Sequence, residues 1–237
     1  MPGPSAGFAA RPFWVPSPEH STNSVEYARG VAPKWVTFDC YGTLVDWNAG
    51  LRAALGSDAL LARYHEVEPD VQAEDPTRSY RDVMRETARR VGADVDPAEA
   101  LPDWPVFPEV RESLAEVRAR GWSLAILSNS DRDLIEASMR AIDVPFELAI
   151  VASEIGSYKP SDGHWLAFAR EVGRTPDVHV AQSHFHDVVP AMQLGIKTIW
   201  INRLGETEDP PPTRQLTGLH RLADVLEEIV PSPVTSS

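Results

Sequence analysis

Short apolar runs of strand length alternate with amphipathic stretches along most of this chain, and no other feature restricts its fold as strongly. The alternation predicts five strands, at residues 35–38, 123–127, 148–151, 178–181 and 198–201. It also predicts helices at residues 109–120, 131–142, 163–172, 188–194 and 216–229. Strands that are separated by helices form parallel sheets, because each crossover must return across one face of the sheet. The sequence therefore predicts a three-layer α/β/α Rossmann-like core with a parallel sheet.

One long interval breaks this alternation. Residues 47–104 contain no run of strand character, only helical patterning such as L-R-A-A-L and Y-R-D-V-M-R-E-T-A-R-R-V. In open α/β sheets the ligand binds in the crevice at the carboxyl ends of the strands. An insertion that follows the first strand is therefore expected to cover this crevice as a helical cap. The predicted core then comprises residues 34–46 and 105–230.

Both ends of the chain have the composition of loosely ordered segments. Residues 1–33 carry several Pro, Ser and Gly without a clean hydrophobic period, and we expect a loosely ordered extension there. Residues 231–237, which read P-S-P-V-T-S-S, are expected to form a disordered tail.

Charge, hydropathy and cysteine content bear on the partners and the location of the protein. The 22 basic and 35 acidic residues give a net charge of −13, which argues against nucleic acid and against anionic membranes. No apolar run approaches the roughly 18–20 residues of a membrane helix, and the start M-P-G-P-S-A-G-F lacks the order of a secretory signal. The one cysteine, Cys40, cannot form an internal disulfide. These features predict a cytoplasmic protein.

Four polar segments follow predicted strands or the loops beyond them, at residues 39–43, 128–129, 159–160 and 182–187. Parallel strands bring such segments to one edge of the sheet, so we expect them to converge. A carboxylate in this position, such as Asp39, can attack an electrophilic carbon or phosphorus and form an ester. The alternative is a turn or helix-capping aspartate without a chemical role.

The motifs F-D-C-Y-G-T-L, L-S-N-S, Y-K-P and W-I-N-R resemble the haloacid dehalogenase (HAD) superfamily of aspartate-nucleophile hydrolases, especially its type II L-2-haloacid dehalogenase branch. The resemblance spans about residues 35–203. It implies that Asp39 is the nucleophile and that Lys159 pairs with Asp39 and Asp187. It also implies that Thr43 holds the nucleophile loop through its hydroxyl group.

The same resemblance assigns residues to substrate binding. It implies that Ser128 and the backbone amides of Cys40 and Tyr41 bind the substrate carboxylate, and that Asn129 contacts the leaving halide. Residues 128–129 also precede a predicted helix, whose free amides favour anions.

Two positions bear on the leaving group. Phosphatases of the superfamily usually carry an acidic aspartate where this chain has Tyr41, and a phenol with a pKa near 10 is a poor proton donor at neutral pH. A halide leaves as a stable anion and needs no proton. Phosphatases also carry a metal-binding aspartate where this chain has Gln182, and an amide is a weaker ligand for Mg²⁺. Both substitutions favour halide displacement without a metal.

The segment Q-S-H-F-H-D departs from the S-S-N-A-W-D of the dehalogenase branch. Ser183 stays in place as a predicted substrate contact, whereas His184 stands at a site asparagine. His184 or His186 can act as a base for ester hydrolysis, or both can be packing residues of a loop. The branch also uses a cap arginine to receive the halide, and Arg63 offers only a poorly spaced counterpart.

The resulting prediction is a hydrolase that displaces halide from a small 2-haloalkanoic acid through an aspartyl ester, with no cofactor. Its partner would be a small anionic carboxylic acid, and dimerisation is implied by resemblance alone. One alternative is a phosphatase or phosphonate hydrolase with a modified site, which would need Mg²⁺. Another is a catalytically silent binding protein of the same superfamily.

Overall fold

A six-stranded parallel sheet forms the centre of the computed structural model, which describes residues 33–75 and 77–231. The strand order is β3-β2-β1-β4-β5-β6. The strands are β1 (Lys34–Phe38), β2 (Trp122–Ser128), β3 (Leu148–Val151), β4 (Val178–Ala181), β5 (Lys197–Ile201) and β6 (Arg214–Leu216). The predicted α/β fold with a parallel sheet is thus confirmed, and each of the five predicted strands is present.

The helices of the described chain connect these strands. Between β1 and β2 lie α1 (Trp47–Leu55), α2 (Asp58–Glu74), α3 (Tyr80–Arg90), α4 (Pro97–Ala100), a 3-10 turn (Leu101–Asp103) and α5 (Val110–Ala119). The later helices are α6 (Arg132–Ile142), α7 (Ala152–Ile155), α8 (Gly163–Val172), α9 (Val189–Gln193) and α10 (Leu222–Ile229), and a π-helical turn (His184–Val188) precedes α9.

Strand β1 occupies the position that decides where a ligand can bind. It pairs with β2 on one side and with β4 on the other, so the strand order reverses beside it. Loops that leave the carboxyl ends of neighbouring strands diverge at such a reversal and leave a crevice. The segments that follow β1, β2 and β4 therefore meet at this edge, as the sequence predicts.

Over its described part, the interval between residues 47 and 104 consists of helices and a 3-10 turn joined by turns and loops, and no strand occurs there. Helix α1 begins where the side chain of Asp46 accepts a hydrogen bond from the Ala49 amide at 2.9 Å. It ends at Gly56, whose φ of 67° lies in the left-handed region that favours glycine. The formal division of the chain into a cap and a core stays a prediction.

The sequence-based boundaries are wrong at the last helix. That helix was expected from residue 216, but Leu216 ends strand β6, and α10 begins only at Leu222. The Leu216 carbonyl accepts a hydrogen bond from the Asn202 amide at 2.8 Å, so pairing beyond β5 overrides the local helical pattern.

Three further expectations concern the ends and the surroundings of the protein. The predicted extension lies outside the described residues except for residue 33, and so does the predicted tail except for residue 231. None of the helices within the described ranges combines the length and apolar character needed to span a lipid bilayer. Cytoplasmic location and dimerisation stay predictions.

Candidate active site

Asp39 lies one residue beyond the carboxyl end of β1 and is 8% exposed. Its backbone amide donates to the Val180 carbonyl on β4 at 3.1 Å, which continues the pairing between the two strands. The carboxylate therefore sits at the strand reversal, where the fold leaves a crevice.

Thr43 holds the Asp39 loop from two sides. Its hydroxyl group donates to Oδ2 of Asp39 at 2.9 Å and accepts a hydrogen bond from the backbone amide of Gln182 at 2.9 Å. Gly42, which precedes Thr43, has a φ of 87°, and a Cβ atom there would lie 3.1 Å from the Gln182 side-chain oxygen. Glycine at this position thus permits both the turn and the close approach of the β4 loop.

Lys159 occupies the space between the two carboxylates and is 2% exposed. Its Nζ atom donates to Oδ1 of Asp39 at 2.9 Å and to Oδ1 of Asp187 at 2.6 Å. The third proton goes to the Leu127 carbonyl at 2.9 Å. An ammonium group has three donors, so Lys159 has no hydrogen left for a substrate. Its action on an anionic substrate is confined to its charge.

The pKa values in this trio reflect a balance between burial and pairing. Burial raises the pKa of the Asp39 carboxyl, while the ammonium of Lys159 and the Thr43 hydroxyl act in the opposite direction. Burial also disfavours charge on Asp187, yet Lys159 and a hydrogen bond from His179 hold the pKa of that carboxyl at about 2. The two carboxylates in turn raise the pKa of Lys159 against the effect of its burial.

The two substrate-binding residues predicted at the end of β2 have different partners. Ser128 ends β2 and is buried, and its carbonyl oxygen lies 2.9 Å from Nε2 of His164. The Asn129 amide accepts from the Lys159 backbone amide at 2.6 Å and donates to the Lys159 carbonyl at 2.9 Å. Asn129 therefore positions the lysine loop, and its contact with a halide stays a prediction.

The residues after Asp39 differ in their surroundings. Cys40 is fully buried, and burial raises the pKa of its thiol, as expected of an inert neighbour. Tyr41 lies 3.2 Å from the Ser138 hydroxyl through its own hydroxyl, stacks on Tyr80 at 6.3 Å between ring centroids, and has its pKa raised by burial. The Tyr41 phenol is thus unsuited to protonate a leaving group at neutral pH.

In the segment after β4, the side chains of Ser183, His184 and His186 have hydrogen-bond partners within the protein. Ser183 Oγ accepts from the His186 amide at 3.1 Å and also lies 3.1 Å from Nδ1 of the His186 ring. Nε2 of His184 lies 2.9 Å from the Pro210 carbonyl, and its ring packs against Trp200 at 5.0 Å. Burial lowers the pKa of His186. The roles predicted for Ser183 and His184 in substrate binding remain predictions.

An arginine that follows β5 contacts the loop after Asp39. Arg203 donates to the Thr43 carbonyl at 3.0 Å and pairs with Glu109 at 2.7 Å, and its guanidinium lies 3.6 Å from the centre of the Phe107 ring. Arg63, the candidate for a halide-binding arginine, is exposed on α2. The motif W-I-N-R contained this arginine, but its contact with residue 43 depends on the folded chain.

One residue of the site was not predicted from the sequence. His179, in the middle of β4, is 1% exposed and lies 2.9 Å from Oδ1 of Asp187 through Nε2. A polar residue within the apolar run V-H-V-A was the signal that could have identified it, because buried polar groups require partners.

The donor set does not match a magnesium site. Among the residues that the structure describes, no group of three or more His, Cys, Asp or Glu side chains is arranged to hold a metal ion. The two carboxylates of the site share the Lys159 ammonium, and a phenol and an amide stand at the positions of Tyr41 and Gln182. Mg²⁺ prefers several hard oxygen ligands, which these side chains do not supply.

Comparison with known sequences decides the family. The sequence model of the haloacid dehalogenase-like hydrolases matches residues 33–181, which contain β1 through β4 and both Asp39 and Lys159. The chain belongs to the haloacid dehalogenase-like hydrolase family. The predicted superfamily is thereby confirmed.

Two characterised relatives of this family member differ in their chemistry. The (S)-2-haloacid dehalogenase of Pseudomonas sp. strain YL is 27% identical over 231 residues, which cover 86% of this chain and 96% of the relative. The phosphoserine phosphatase of Thermus thermophilus is 27% identical over 157 residues, which cover 61% of each chain. The similarity to the dehalogenase therefore extends over more of both proteins.

The fold agrees with that of a solved structure. The L-2-haloacid dehalogenase from Xanthobacter autotrophicus superimposes with a TM-score of 0.71 at 20% identity, covering 82% of this chain and 98% of that enzyme. At this identity the likeness concerns the fold alone.

Proposed function

We propose that this family member hydrolyses the carbon–halogen bond of a small 2-haloalkanoic acid through a covalent ester on Asp39, without a metal. The observation that carries the proposal is the trio of Asp39, Lys159 and Asp187, accompanied at residue 41 by a phenol whose pKa is raised by burial. The site offers a nucleophile and a stabilising cation, but at residue 41 it offers no acid for an alkoxide leaving group.

In the first step an oxygen of Asp39 attacks C2 of the substrate from the side opposite to the halogen. A carbon–oxygen bond forms, the carbon–halogen bond breaks, and the halide leaves with the electron pair. Burial raises the pKa of the Asp39 carboxyl, and the Lys159 ammonium opposes this by favouring the charged form that attacks. The helix that begins at Arg132 and the amides of residues 40 and 41 support binding of the substrate carboxylate.

In the second step water attacks the carboxyl carbon of the Asp39 ester and releases a 2-hydroxy acid. Because C2 is attacked only in the first step, its configuration inverts. Asp187 is the group proposed to receive the proton of the water, since it is ionised at neutral pH and shares Lys159 with Asp39.

Halide release tests this proposal directly. Wild-type protein and the Asp39→Asn variant are incubated without added metal with 2-chloro, 2-bromo and 2-fluoro acids, and released halide is measured by ion chromatography. Halide release by the wild type that is abolished in the variant supports the proposal. In heavy-oxygen water, the label should enter Asp39 during a single turnover, and label in the first-turnover product would contradict an ester intermediate.

A phosphatase is the second candidate, because the Thermus relative hydrolyses a phosphate ester by its name. Magnesium-dependent phosphate release from an aryl phosphate, lost in Asp39→Asn and without any halide release, would favour it. Absence of both activities would leave a binding function as the remaining alternative.

A further inference from the structure

His179 connects the interior of the sheet to a carboxylate of the active site. Its Nε2 atom lies 2.9 Å from Oδ1 of Asp187, and its Nδ1 atom lies 2.8 Å from the hydroxyl group of Thr37. Thr37 and His179 are register partners on β1 and β4, so their side chains emerge beside each other on one face of the sheet. The imidazole is thus held by its own strand and by the neighbouring strand.

The surroundings of the imidazole are closed to water. The ring of Trp165 on α8 packs edge-on against it with the centroids 5.3 Å apart, and both residues are 1% exposed. The other ionisable groups nearby are Lys159, which shares Asp187 with His179, and His164 on α8, which is bonded to the Ser128 carbonyl. Burial lowers the pKa of His164 to about 4, so that ring is neutral at pH 7.

The partners of the imidazole determine which nitrogen carries a proton. An ionised carboxylate only accepts, so Nε2 of His179 must donate to Asp187. In the neutral ring Nδ1 then accepts from the Thr37 hydroxyl. That hydroxyl also lies 3.4 Å from the Val178 carbonyl, which can accept its proton if Nδ1 becomes protonated. Thr37 therefore satisfies the ring in either charge state while the bond to Asp187 is kept.

The two oxygens of Asp187 have different environments. Oδ1 accepts from both Lys159, at 2.6 Å, and His179, at 2.9 Å. Among the described residues, none donates a hydrogen bond to Oδ2. A carboxylate that is held by two donors through one oxygen has a fixed orientation, and its second oxygen remains able to accept a proton.

We propose that His179 is a positioning residue for the hydrolytic half of the reaction. It fixes Asp187 through Oδ1 and leaves Oδ2 to accept the proton of the water that attacks the Asp39 ester. The inference rests on the proposed function, because it concerns the ester intermediate.

The water oxygen bonds to the carboxyl carbon of Asp39 as one proton passes to Oδ2 of Asp187. The tetrahedral adduct then expels the oxygen of the hydroxy acid, which takes the proton back from Asp187. The regenerated Asp39 carboxyl releases the second proton of the water to solvent. Asp187 is unchanged over the cycle, so it must hold one orientation throughout.

A simple structural role is the competing interpretation, because a buried imidazole with both nitrogens bonded also stabilises the sheet. The two interpretations differ in their kinetics. A structural residue changes the amount of folded protein, whereas a residue that positions Asp187 changes the rate of ester hydrolysis in the folded protein. The first step, halide displacement by Asp39, does not use the Asp187 oxygen in question.

Two variants of nearly equal polarity separate these roles. In His179→Asn the shorter amide reaches the position of Nδ1 and Thr37, but not Asp187. In His179→Gln the longer amide reaches the position of Nε2, and it can donate to Asp187 again. Thr198→Val is the control, since Thr198 is buried in β5 and bonded to Thr213.

We expect His179→Asn to release a burst of about one halide per site and then to turn over roughly 10–100-fold more slowly than the wild type. Because only the second step is slowed, kcat and KM fall together and kcat/KM stays within about threefold of the wild type. The ester should accumulate as a mass increase on Asp39. His179→Gln and Thr198→Val should retain kcat within about threefold.

An unchanged kcat in His179→Asn, or a fall of kcat/KM without an accumulated ester, would overturn the inference. Circular dichroism and urea titration establish the folded fraction of each variant. Should His179→Asn fold poorly, Thr37→Val releases the other side of the ring and should show the same burst with a smaller, roughly threefold loss of kcat. Wild-type protein that releases no halide overturns the proposed function and this inference with it, whereas wild-type turnover without the burst in the variants overturns this inference alone.

Discussion

Replacing Lys159 by methionine tests whether the cation between Asp39 and Asp187 stabilises the fold. Methionine keeps much of the length and apolar character of the lysine stem but removes the ammonium. In the folded protein this leaves Asp39 and Asp187, both buried, without the cation that lies 2.9 Å from one and 2.6 Å from the other.

The expected loss of stability is large. At an effective dielectric constant of about 20, two unit charges about 3 Å apart interact by roughly 5–6 kcal/mol. Part of this energy is offset by desolvation, and removing one partner of a buried ion pair typically costs about 3–5 kcal/mol. We expect Lys159→Met to lower the free energy of unfolding by this amount at pH 8, which corresponds to a fall of about 1–2 M in the urea midpoint.

The loss should depend on pH in a defined direction. Without the ammonium, burial and the charge of Asp187 both raise the pKa of the Asp39 carboxyl. A carboxyl whose folded-state pKa lies above its unfolded value contributes stability below the unfolded value and loses it as the pH rises through the folded value. The difference from the wild type should therefore be largest near pH 8 and smaller near pH 5.

Urea titrations of the wild type and Lys159→Met at pH 5 and pH 8 measure this effect. The double variant Lys159→Met, Asp39→Asn should recover part of the stability at pH 8, because it removes one of the two unpaired charges. Lys197→Met, at an exposed lysine, is the matched control and should change stability by less than about 1 kcal/mol. A loss below about 1 kcal/mol in Lys159→Met, or one that is equal at both pH values, would refute the reasoning.

Two further predictions concern single hydrogen bonds and charges. Thr43→Val should lower the free energy of unfolding by about 1–3 kcal/mol and reduce kcat, because the Gln182 backbone amide loses its acceptor and Asp39 loses a donor. Thr43→Ser keeps the hydroxyl group and should retain both stability and kcat. Urea titration and halide assays measure the two effects, and a Thr43→Val variant with unchanged stability and kcat would contradict the prediction. Burial raises the pKa of Glu68, on α2, to about 7, so stability attributable to this carboxyl is present at pH 5 and is lost as the pH rises through about 7. Glu68→Gln should therefore raise stability by about 1–2 kcal/mol at pH 8.5 and leave it unchanged at pH 5, as measured by urea midpoints, and an equal effect at both pH values would contradict it.

Periodicity predicted the elements of the core with few errors, because it depends on residues that are close in sequence. The runs at residues 148–151 and 178–181 coincide with β3 and β4 as the structure has them. The error at residue 216 arose where strand pairing with β5, decided by residues distant in sequence, outweighed a local helical pattern.

The same limit applies to the functional site. Motifs identified Asp39, Thr43, Lys159 and Asp187. The folded chain lets Thr43 and Lys159 each donate to Asp39, and lets Lys159 also donate to Asp187. Sequence could not show that all three protons of Lys159 are taken by protein acceptors, because one acceptor is a backbone carbonyl of β2. Donors and acceptors can be counted only when the positions of all neighbours are known.

The sequence by itself determined the parallel α/β fold and the family, since these follow from periodicity and from short motifs. The role of Asp39 as the nucleophile stays a prediction. Only the tertiary structure decided that Arg203 contacts the Thr43 carbonyl in the loop after Asp39 and that His179 reaches Asp187. Arg203 and His179 act through partners on other segments of the chain. The register of β1 against β4 sets such distances, and register results from the packing of the whole sheet.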